Sequence, residues 1–568
     1  MKSNEFSPKR KDRKKIIRGT LQGLILLVIL IVIIKALFSF KEYKPFNIEE
    51  ISTNSNEKGF ITLSYFGVDR DGSDTLVSTK DLENQIKSLK DNGYVTIAQE
   101  DILDYYNKGK KLPEKSLFLL FEDGRRDTAI FAQKILEKHN YKGTILTYAD
   151  KFEKEDPKFL MPKDLLKLKN STYWELGTNG YRLEFINVFD REENFLGELT
   201  SIEFSELQDT IDRDYNHYLM DYIRDEDSVP LESYDEMKAR ILNDYKKLSE
   251  IYNNDLGGVP ELYAIMHSNT GQFGTNNRVS DVNEEWINKL FAMNFNREGF
   301  SLNTKESFIY DLTRLQPQAY WSTNHLLMRL YDDTKEEIKF VIGDEEKALD
   351  FEEVKGQIEF IDDKIILTSL PKDTGLLKLK NSEGYKDINT SVYLNGNVIG
   401  SQVIYLRAND DLSNSLAVKL INDKIEVTET LGGNKEVIFS KELNTFGEYL
   451  TFSNGAKVDI KEKGNKKLDI SLSGNNLSIN IDDETIVSDL EVKVLDKGSV
   501  YLESAFGEYG YSQRNIADDV YDGVFKELKI TDINEEVLYD ANLKDFELIK
   551  YNVKNTFNKV INWFIRTL

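Results

Sequence analysis

Two adjacent carboxylates at the end of an apolar run are the residues of this chain best suited to chemistry. The run covers residues 116–121 and is followed at once by Glu122, Asp123 and Gly124. Successive side chains of a strand point to opposite sides, and a glycine permits the sharp turn that leaves both acids at the strand's end. A pair of carboxylates suffices for acid–base chemistry. Acidic residues are also common at ordinary strand-to-turn junctions, so these residues alone leave both interpretations open.

The segments around this pair alternate between strand and helix patterns. Short apolar runs predict strands at residues 59–68, 94–97, 116–121 and 144–148. Helical spacing of apolar residues predicts helices at residues 82–92, 100–106 and 128–139. Such alternation predicts a parallel sheet or an α/β barrel, in which catalytic residues gather at the carboxyl ends of the strands.

The order of these motifs resembles that of the polysaccharide deacetylases of the NodB-like type. A tyrosine-bearing first strand is followed by Gly-Tyr-x-Thr-Ile, Leu-Pro, an apolar strand ending in acid-Asp-Gly, and Gly-Thr-Ile-Leu, and the resemblance covers about residues 59–330. It implies an irregular (β/α) barrel that removes N- or O-acetyl groups from sugars with one divalent metal. The family motif Thr-Phe-Asp-Asp-Gly corresponds here to residues 120–124. By this resemblance Glu122 stands at the position of the general base and Asp123 at that of a metal ligand.

The second family motif, Gly-Ser-His-x-x-x-His, is altered in this chain. Asn179 and Leu183 stand where the two histidines are expected, and Phe66 replaces the histidine that follows the first-strand tyrosine, Tyr65. Zinc sites use nitrogen or sulfur donors and usually three protein ligands. The sequence therefore predicts a broken metal site and no cofactor, although a divalent metal is the one group that the resemblance implies.

A few other residues are candidates for the same site. His267 follows a predicted strand at residues 262–266, and Arg314 resembles the late arginine of the family. Together with Tyr65 and Asn179 they are predicted to bind substrate. An isolated histidine at a strand end is more often a structural hydrogen-bonding residue than a ligand, and His325 is a weaker candidate. The two remaining histidines, His139 and His217, are predicted to lie on helix surfaces.

The chain is long enough for several domains. Its 568 residues exceed what one core usually holds. The fold class predicted is α/β plus all-β, with a deacetylase-like domain at residues 59–334 that contains an acidic, helix-like insertion at about 184–260. Alternating strands with Gly-Asn and Asn-Gly turns predict a β-sandwich at residues 335–542, whose last strands resemble those of concanavalin-like jelly rolls, domains that often bind carbohydrate. Residues 543–568 are predicted to form an amphipathic helix that packs on the sandwich, lies on a membrane or meets a partner.

The N-terminus carries the pattern of a membrane anchor. Residues 1–18 hold eight Lys and Arg side chains and are predicted to be cytoplasmic, whereas residues 19–38 are almost wholly apolar. That length is close to the hydrocarbon thickness of a bilayer, and no small-x-small cleavage site follows. Because the basic flank stays inside, the sequence predicts a single-pass cell-membrane protein with a linker at residues 39–58 and its bulk extracytoplasmic.

Composition narrows the range of partners. The formal net charge of −24 argues against nucleic acid, and the absence of cysteine excludes disulfides and thiolate metal sites. The expected partner is a cell-surface or exported polysaccharide, with polysaccharide synthase or export proteins as further candidates.

Three functions remain open from the sequence. The first is a deacetylase-like enzyme with an altered metal site. The second is a catalytically inactive glycan-binding scaffold of an export or modification system. The third is a metal-independent glycoside hydrolase or lyase that uses Glu122 with Asp123 or Glu175.

Overall fold

The structure is a computed structural model, and the chain divides into two compact units, Met1–Pro45 and Phe46–Leu568. It describes residues 13, 15–24, 26–27, 44–47, 55–56, 58–73, 75–190, 192–207, 210–211, 215–265, 272–395, 400–421, 424–443, 449–451, 457–459, 465–506, 520–543, 548–553 and 556–559. In the first unit residues 15–24 are helical.

The predicted transmembrane segment, residues 19–38, lies largely outside the described residues. Within the described part of the chain, no helix is both long enough and apolar enough to cross a membrane.

The first half of the larger unit is a closed, mainly parallel sheet. Its main strands are β1 Phe60–Tyr65, β2 Ser116–Phe121, β3 Gly143–Tyr148, β4 Trp174–Gly180, β5 Leu262–Tyr263, β6 Met293–Glu298 and β7 Leu312–Arg314. Parallel pairing runs from β1 through β6 to β7, and a parallel bridge between Leu63 and Leu315 closes the barrel. Short strands at Val95–Thr96 and Leu302–Asn303 pair with β2 and β1.

Helices surround the barrel and begin and end at recognisable signals. They are α1 Thr79–Asp91, α2 Gln99–Lys108, α3 Arg126–His139, α4 Asp150–Lys154, α5 Pro162–Lys169, α6 Ser201–Leu207, α7 Tyr234–Leu256, α8 Asn277–Leu290 and α9 Thr323–Thr334. The hydroxyl of Ser78 caps α1 by accepting from the Asp81 amide at 3.0 Å. Helix α7 begins with a Ser233–Glu236 capping box and ends at Gly257, whose φ of 75° suits the left-handed turn of a helix end.

The barrel interior is filled by alternate residues of its strands. Phe118 and Leu120 of β2 pack with Leu146 of β3 and Phe295 of β6, and Tyr105 of α2 closes the amino end of the barrel. The intervening residues of the same strands, such as Leu117 and Leu119, pack outward against the helices. The inward-facing positions continue past the apolar residues at the carboxyl end of each strand. Residues at these positions therefore face the barrel mouth.

The insertion is helical only in part. The sequence predicted a helix-like segment, and the structure contains α6 and the long α7. It also contains a small antiparallel sheet of Glu184–Phe189, Phe195–Thr200 and Asn216–His217, with α6 between the last two of these strands and α7 after them. Its core is aromatic: the ring of Phe185 stacks on that of Phe204 at 3.7 Å and meets Tyr215 edge-on. The sequence did not indicate this sheet because charged residues, 190–193, lie between its first two strands.

Two antiparallel sheets follow the barrel and share one apolar core. The first contains, in spatial order, Phe351–Lys355, Thr374–Leu379, Ser499–Phe506, Gly400–Ala408, Ser415–Ile421, Lys424–Leu431 and Asn434–Glu442. The second contains Gln357–Ile361, Lys364–Ser369, Tyr521–Asp532, Ile388–Asn395, Asn465–Ser473, Asn476–Ile481 and Glu484–Glu491, with Val537–Asp540 paired to Tyr521–Asp532. The predicted barrel followed by a β-rich region is confirmed.

Barrel and sandwich meet at the start of α9. The carboxylate of Asp522 accepts from the Ser322 amide at 2.9 Å and lies 3.2 Å from Nδ1 of His325. Glu359 accepts from the Asn324 amide at 3.5 Å. Two acidic side chains of the sandwich therefore accept hydrogen bonds from backbone amides at the N-terminus of a barrel helix, where these amides have no partner within the helix.

Candidate functional site

Glu122 is the centre of a buried polar cluster at the barrel mouth. Its side chain is fully buried, and its Oε1 accepts from Ser64 Oγ at 2.5 Å, Arg314 Nε at 3.0 Å and Gln316 Nε2 at 3.2 Å. Its second oxygen, Oε2, is enclosed and has no hydrogen-bond partner among the described residues. One oxygen is thus held by three side chains, and the other makes no hydrogen bond to the described residues.

Arg314 positions that carboxylate from the last barrel strand. Its guanidinium is fully buried and donates to the Phe295 carbonyl at 3.0 Å and, through Nη2, to Glu298 Oε1 at 2.9 Å. Each of these acceptors lies on β6, next to β7 in the sheet. The predicted substrate-binding residue is therefore placed as a support for Glu122, and every one of its polar nitrogens is engaged.

Asp123 lies where the chain leaves β2 in an unusual backbone conformation. Its φ is 64°, which is rare for a residue with a side chain, and Gly124 follows at φ 62°. A Cβ on Gly124 would come within 2.5 Å of Thr147 Cγ2, so only glycine fits there. Strained backbone of this kind persists where the surrounding structure fixes it and is typical of functional sites.

The surroundings of Asp123 alter its acidity. The residue keeps some exposed surface, but its Oδ1 is enclosed and lacks a partner within the described part of the chain. Burial, reinforced by the neighbouring negative charge of Glu122, raises the pKa of the Asp123 carboxyl to about 7. Near neutral pH this group can either accept or donate a proton, which suits general acid–base catalysis.

Tyr148 carries a third polar atom that has no partner among the described residues near the mouth. It ends β3, and its buried hydroxyl makes no hydrogen bond to any described residue. Burial, followed by the charges of Asp123 and Glu122, raises its pKa well above the ordinary value, so the phenol stays protonated. A protonated hydroxyl beside two carboxylates can donate a hydrogen bond to a polar ligand.

The residues that replace the family's metal ligands have other roles. Asn179 is fully buried; its Oδ1 accepts from the Asp123 amide at 3.2 Å and its Nδ2 donates to the Ala264 carbonyl at 3.0 Å. Leu183 packs on the aromatic core of the insertion. Both polar atoms of Asn179 thus form hydrogen bonds with main-chain atoms, one just after β2 and one just after β5.

The described residues at the family's metal positions do not by themselves form a divalent-metal site. The described residues contain no group of three or more His, Asp or Glu side chains that could hold one. At the family's ligand positions zinc would have one anionic ligand, Asp123. The Asn179 amide stands where an imidazole is expected, and its polar atoms are already hydrogen-bonded to the main chain. His267 lies outside the described residues, and its predicted role stays a prediction.

The other sequence candidates lie away from the unpartnered oxygens. Tyr65 points outward from the barrel: its hydroxyl donates to Gln85 of α1 at 2.8 Å and its ring stacks on Phe121 at 5.7 Å. Glu175 is level with Leu120 in the sheet register and accepts from the Gln99 amide at 3.0 Å, towards the amino end of the barrel. The structure therefore does not bring Glu175 to Glu122.

The three histidines that the structure describes are all buried. His325 is buried at the junction with the sandwich, stacked on Trp321 with ring centroids 4.4 Å apart. His139 and His217 were predicted on helix surfaces, but both are buried, at 8% and 1% exposure, and His217 lies in a short strand of the insertion. The helix-surface prediction was wrong because an isolated histidine carries no periodic signal.

Sequence reasoning missed Ser64, Gln316 and Tyr148. A signal existed for Tyr148, because it ends a predicted strand next to the one that carries Glu122. Ser64 precedes Tyr65, so strand alternation alone decides which of the two faces inward. The hydroxyl of Ser64, and not that of Tyr65, reaches the carboxylate.

Comparison with curated proteins shows a local similarity. No family model matches the chain. Over 69 residues the chain is 35% identical to the poly-beta-1,6-N-acetyl-D-glucosamine N-deacetylases of Escherichia coli strains K12 and O157:H7. The match covers 12% of this chain and spans 10% of the length of those relatives.

Solved structures similar to this chain include deacetylases and a carbohydrate-binding module. The Streptococcus pyogenes deacetylase PplD is 12% identical with a TM-score of 0.34, covering 48% of this chain and 99% of that one. The Bacillus subtilis module CBM66 is 14% identical with a TM-score of 0.23, covering 32% of this chain and 94% of that one. The predicted resemblance to polysaccharide deacetylases is confirmed over the 69 residues that match the E. coli N-deacetylases.

Proposed function

We propose that this chain is a membrane-anchored, extracytoplasmic deacetylase-like protein that acts on, or binds, an N-acetylated cell-surface or exported polysaccharide. One observation carries the proposal: Glu122 Oε2 and Asp123 Oδ1, two enclosed carboxylate oxygens, have no partner among the described residues at the barrel mouth. Enclosed polar atoms are normally hydrogen-bonded, so an unpaired pair points to an occupant with polar groups. That this occupant is an N-acetylated polysaccharide is inferred from the resemblance to deacetylases.

The residues present suit hydrolysis of an amide only through acid–base chemistry. Removal of an acetyl group needs a base that takes a proton from the attacking water and an acid that protonates the leaving amine. Asp123 titrates near neutral pH and can serve either step, while Arg314 holds Glu122 in a fixed orientation. Tyr148 can donate to the acetyl oxygen. No step of this scheme uses a metal.

An inactive glycan-binding scaffold is the second candidate. It is favoured by the donor set, which lacks the family's metal ligands among the described residues, since a bound cation is what usually activates water at neutral pH. The third candidate, a glycoside hydrolase, would use Glu122 and Asp123 as its acid–base pair. A pair of Glu122 with Glu175 is not supported, because the Glu175 carboxylate accepts a hydrogen bond from the Gln99 amide.

One experiment separates the three. The full-length chain is incubated with poly-β-1,6-N-acetylglucosamine, the substrate named for the E. coli relatives, and free acetate, new reducing ends and bound polymer are each measured. The variants are Asp123→Asn and Glu122→Gln, and the exposed Glu153→Gln is the matched control.

Acetate release that Asp123→Asn abolishes and Glu153→Gln leaves intact would establish the deacetylase. Polymer bound without acetate or reducing ends would establish the scaffold. New reducing ends that disappear with Glu122→Gln would establish the glycoside hydrolase. Absence of binding and of all products would refute the proposal for this polymer.

A further inference from the structure

The C-terminal part of the chain presents an uncovered apolar stripe. Residues 548–553 and 556–559 are helical. Ile549 and Val553 are four positions apart in the first stretch and so lie on one side of it, and Phe557 follows at the same spacing in the second stretch. Their side chains are 60%, 64% and 55% exposed, whereas core residues of this protein stay below a tenth. Nothing in the described part of the chain covers this stripe, which we call the C-terminal stripe.

The polar side of the same segment is attached to the barrel. Asn558 Oδ1 accepts from Arg70 Nη2 at 3.0 Å. Arg70 lies in the connection between β1 and α1, at the carboxyl end of the barrel strands. The segment is therefore held by its polar side against a loop of the mouth, and its apolar side is turned outward.

The charge of this segment is opposite to that of the protein. From residue 548 to the end of the sequence there are four basic residues, Lys550, Lys554, Lys559 and Arg566, and no acidic one, although the whole chain has a net charge of −24. Tyr551 adds an aromatic side chain. Basic, aromatic-containing amphipathic helices lie in the headgroup region of anionic bilayers with their apolar side buried.

We infer that the C-terminal stripe binds the surface of an anionic lipid bilayer, with Ile549, Val553 and Phe557 inserted at the boundary between headgroups and acyl chains. A second copy of the chain fits less well. A symmetric contact would bring the same basic segment against itself, and its like charges would repel. An anionic surface instead complements both Lys550 and Lys559. This inference is independent of the chemistry of the barrel.

The absence of cysteine makes a site-specific test simple, because a single introduced cysteine is the one thiol to label. Val553→Cys is labelled with a polarity-sensitive dye in the full-length chain. Tyr551→Cys is the matched control, since a residue two positions away points to the opposite side of a helix. Each labelled protein is incorporated into vesicles of phosphatidylglycerol or of phosphatidylcholine, with and without a lipid-borne quencher.

The inference predicts a blue-shifted emission at position 553 in phosphatidylglycerol vesicles and loss of most of that emission to the quencher. The shift should weaken in phosphatidylcholine, and position 551 should show little change in either lipid. Equal signals at the two positions would overturn the inference. So would a signal at position 553 that ignores lipid charge and instead follows the protein-to-lipid ratio, which would indicate self-association.

Discussion

Arg314 and Glu122 form a fully buried ion pair, with Arg314 Nε 3.0 Å from Glu122 Oε1, although 192 residues separate them in the chain. The pair joins β2 to β7 across the barrel mouth. It leaves Glu122 Oε2 unpartnered among the described residues, and this is the oxygen that the proposed ligand would contact. Because both charges are removed from water, each depends on the other.

Removal of one member of this pair is expected to be costly. Arg314→Met should lower the free energy of unfolding by about 3–5 kcal/mol, because it leaves a buried carboxylate without its cation. The double variant Arg314→Met, Glu122→Gln should cost less than Arg314→Met alone. Denaturant unfolding of the full-length chain measures both values.

The control for this prediction is Arg297→Met, which breaks a pair with Asp311 in which Arg297 is 49% exposed. Exposed pairs contribute about 0–1 kcal/mol, so this variant should be close to neutral. Equal losses for Arg297→Met and Arg314→Met would contradict the role given to the buried pair.

Asn179 is expected to stabilise the mouth through its two backbone hydrogen bonds. Asn179→Ala should lower the free energy of unfolding by about 1–3 kcal/mol, because the Asp123 amide and the Ala264 carbonyl lose their partners. The exposed Asn253→Ala at the end of α7 should change it by less than about 0.5 kcal/mol. A neutral Asn179→Ala would show that water or other residues replace these bonds.

The full-length chain is expected to bind less than one divalent metal per molecule. The donor set at the family's positions offers Asp123, an engaged Asn179 and an apolar Leu183. Metal content after equilibration with Zn²⁺, Ni²⁺ or Co²⁺ measures this, with Asp123→Ala as control. Stoichiometric metal that Asp123→Ala removes would contradict the broken site and would direct attention to His267.

Any acetate release by the chain should depend on the ionisation of Asp123. The pKa of this carboxyl is raised to about 7 by burial and by Glu122, and it can accept a proton from water only when ionised. The rate should therefore rise as pH increases through about 7. Asp123→Asn should lower it by about 10²–10⁴-fold, while Glu153→Gln keeps both rate and profile. A rate that is flat across this range would exclude Asp123 as the base.

The junction between barrel and sandwich should weaken as pH rises. Burial, followed by the charge of Asp522, raises the pKa of Glu359 from 4.5 to about 7. Between these values the folded protein keeps a proton that the unfolded chain has lost, so the free energy of unfolding falls with rising pH and then levels off. The full effect is about 3 kcal/mol.

Glu359→Gln should remove this slope and raise stability above pH 7. The matched control is the exposed Glu346→Gln, which should leave the slope unchanged. Thermal unfolding of the full-length chain from pH 5 to pH 8 gives the comparison. An unchanged slope in Glu359→Gln would assign the pH dependence to other groups.

Local sequence determined much of this architecture. The apolar run at residues 116–121 followed by Glu122, Asp123 and Gly124 was enough to predict a buried strand with two acids at its end, because strand alternation and glycine turns are local properties. The change from helix–strand alternation to short alternating strands located the β-rich region in the same way. The departure from the family's histidine motif at Asn179 and Leu183 was likewise visible in the sequence, and its effect on metal binding stays a prediction.

Only the tertiary structure decided what these residues do. The inward direction of Ser64 rather than Tyr65 follows from the register of β1 against its neighbours, which the sequence of one strand does not contain. The partners of Glu122 come from β1 and from the end of the barrel sequence, so closure of the sheet was needed to bring Arg314 and Gln316 to it. Burial of Asp123 is likewise a property of the closed barrel. Its shifted acidity therefore could not be predicted from an acidic residue at a turn.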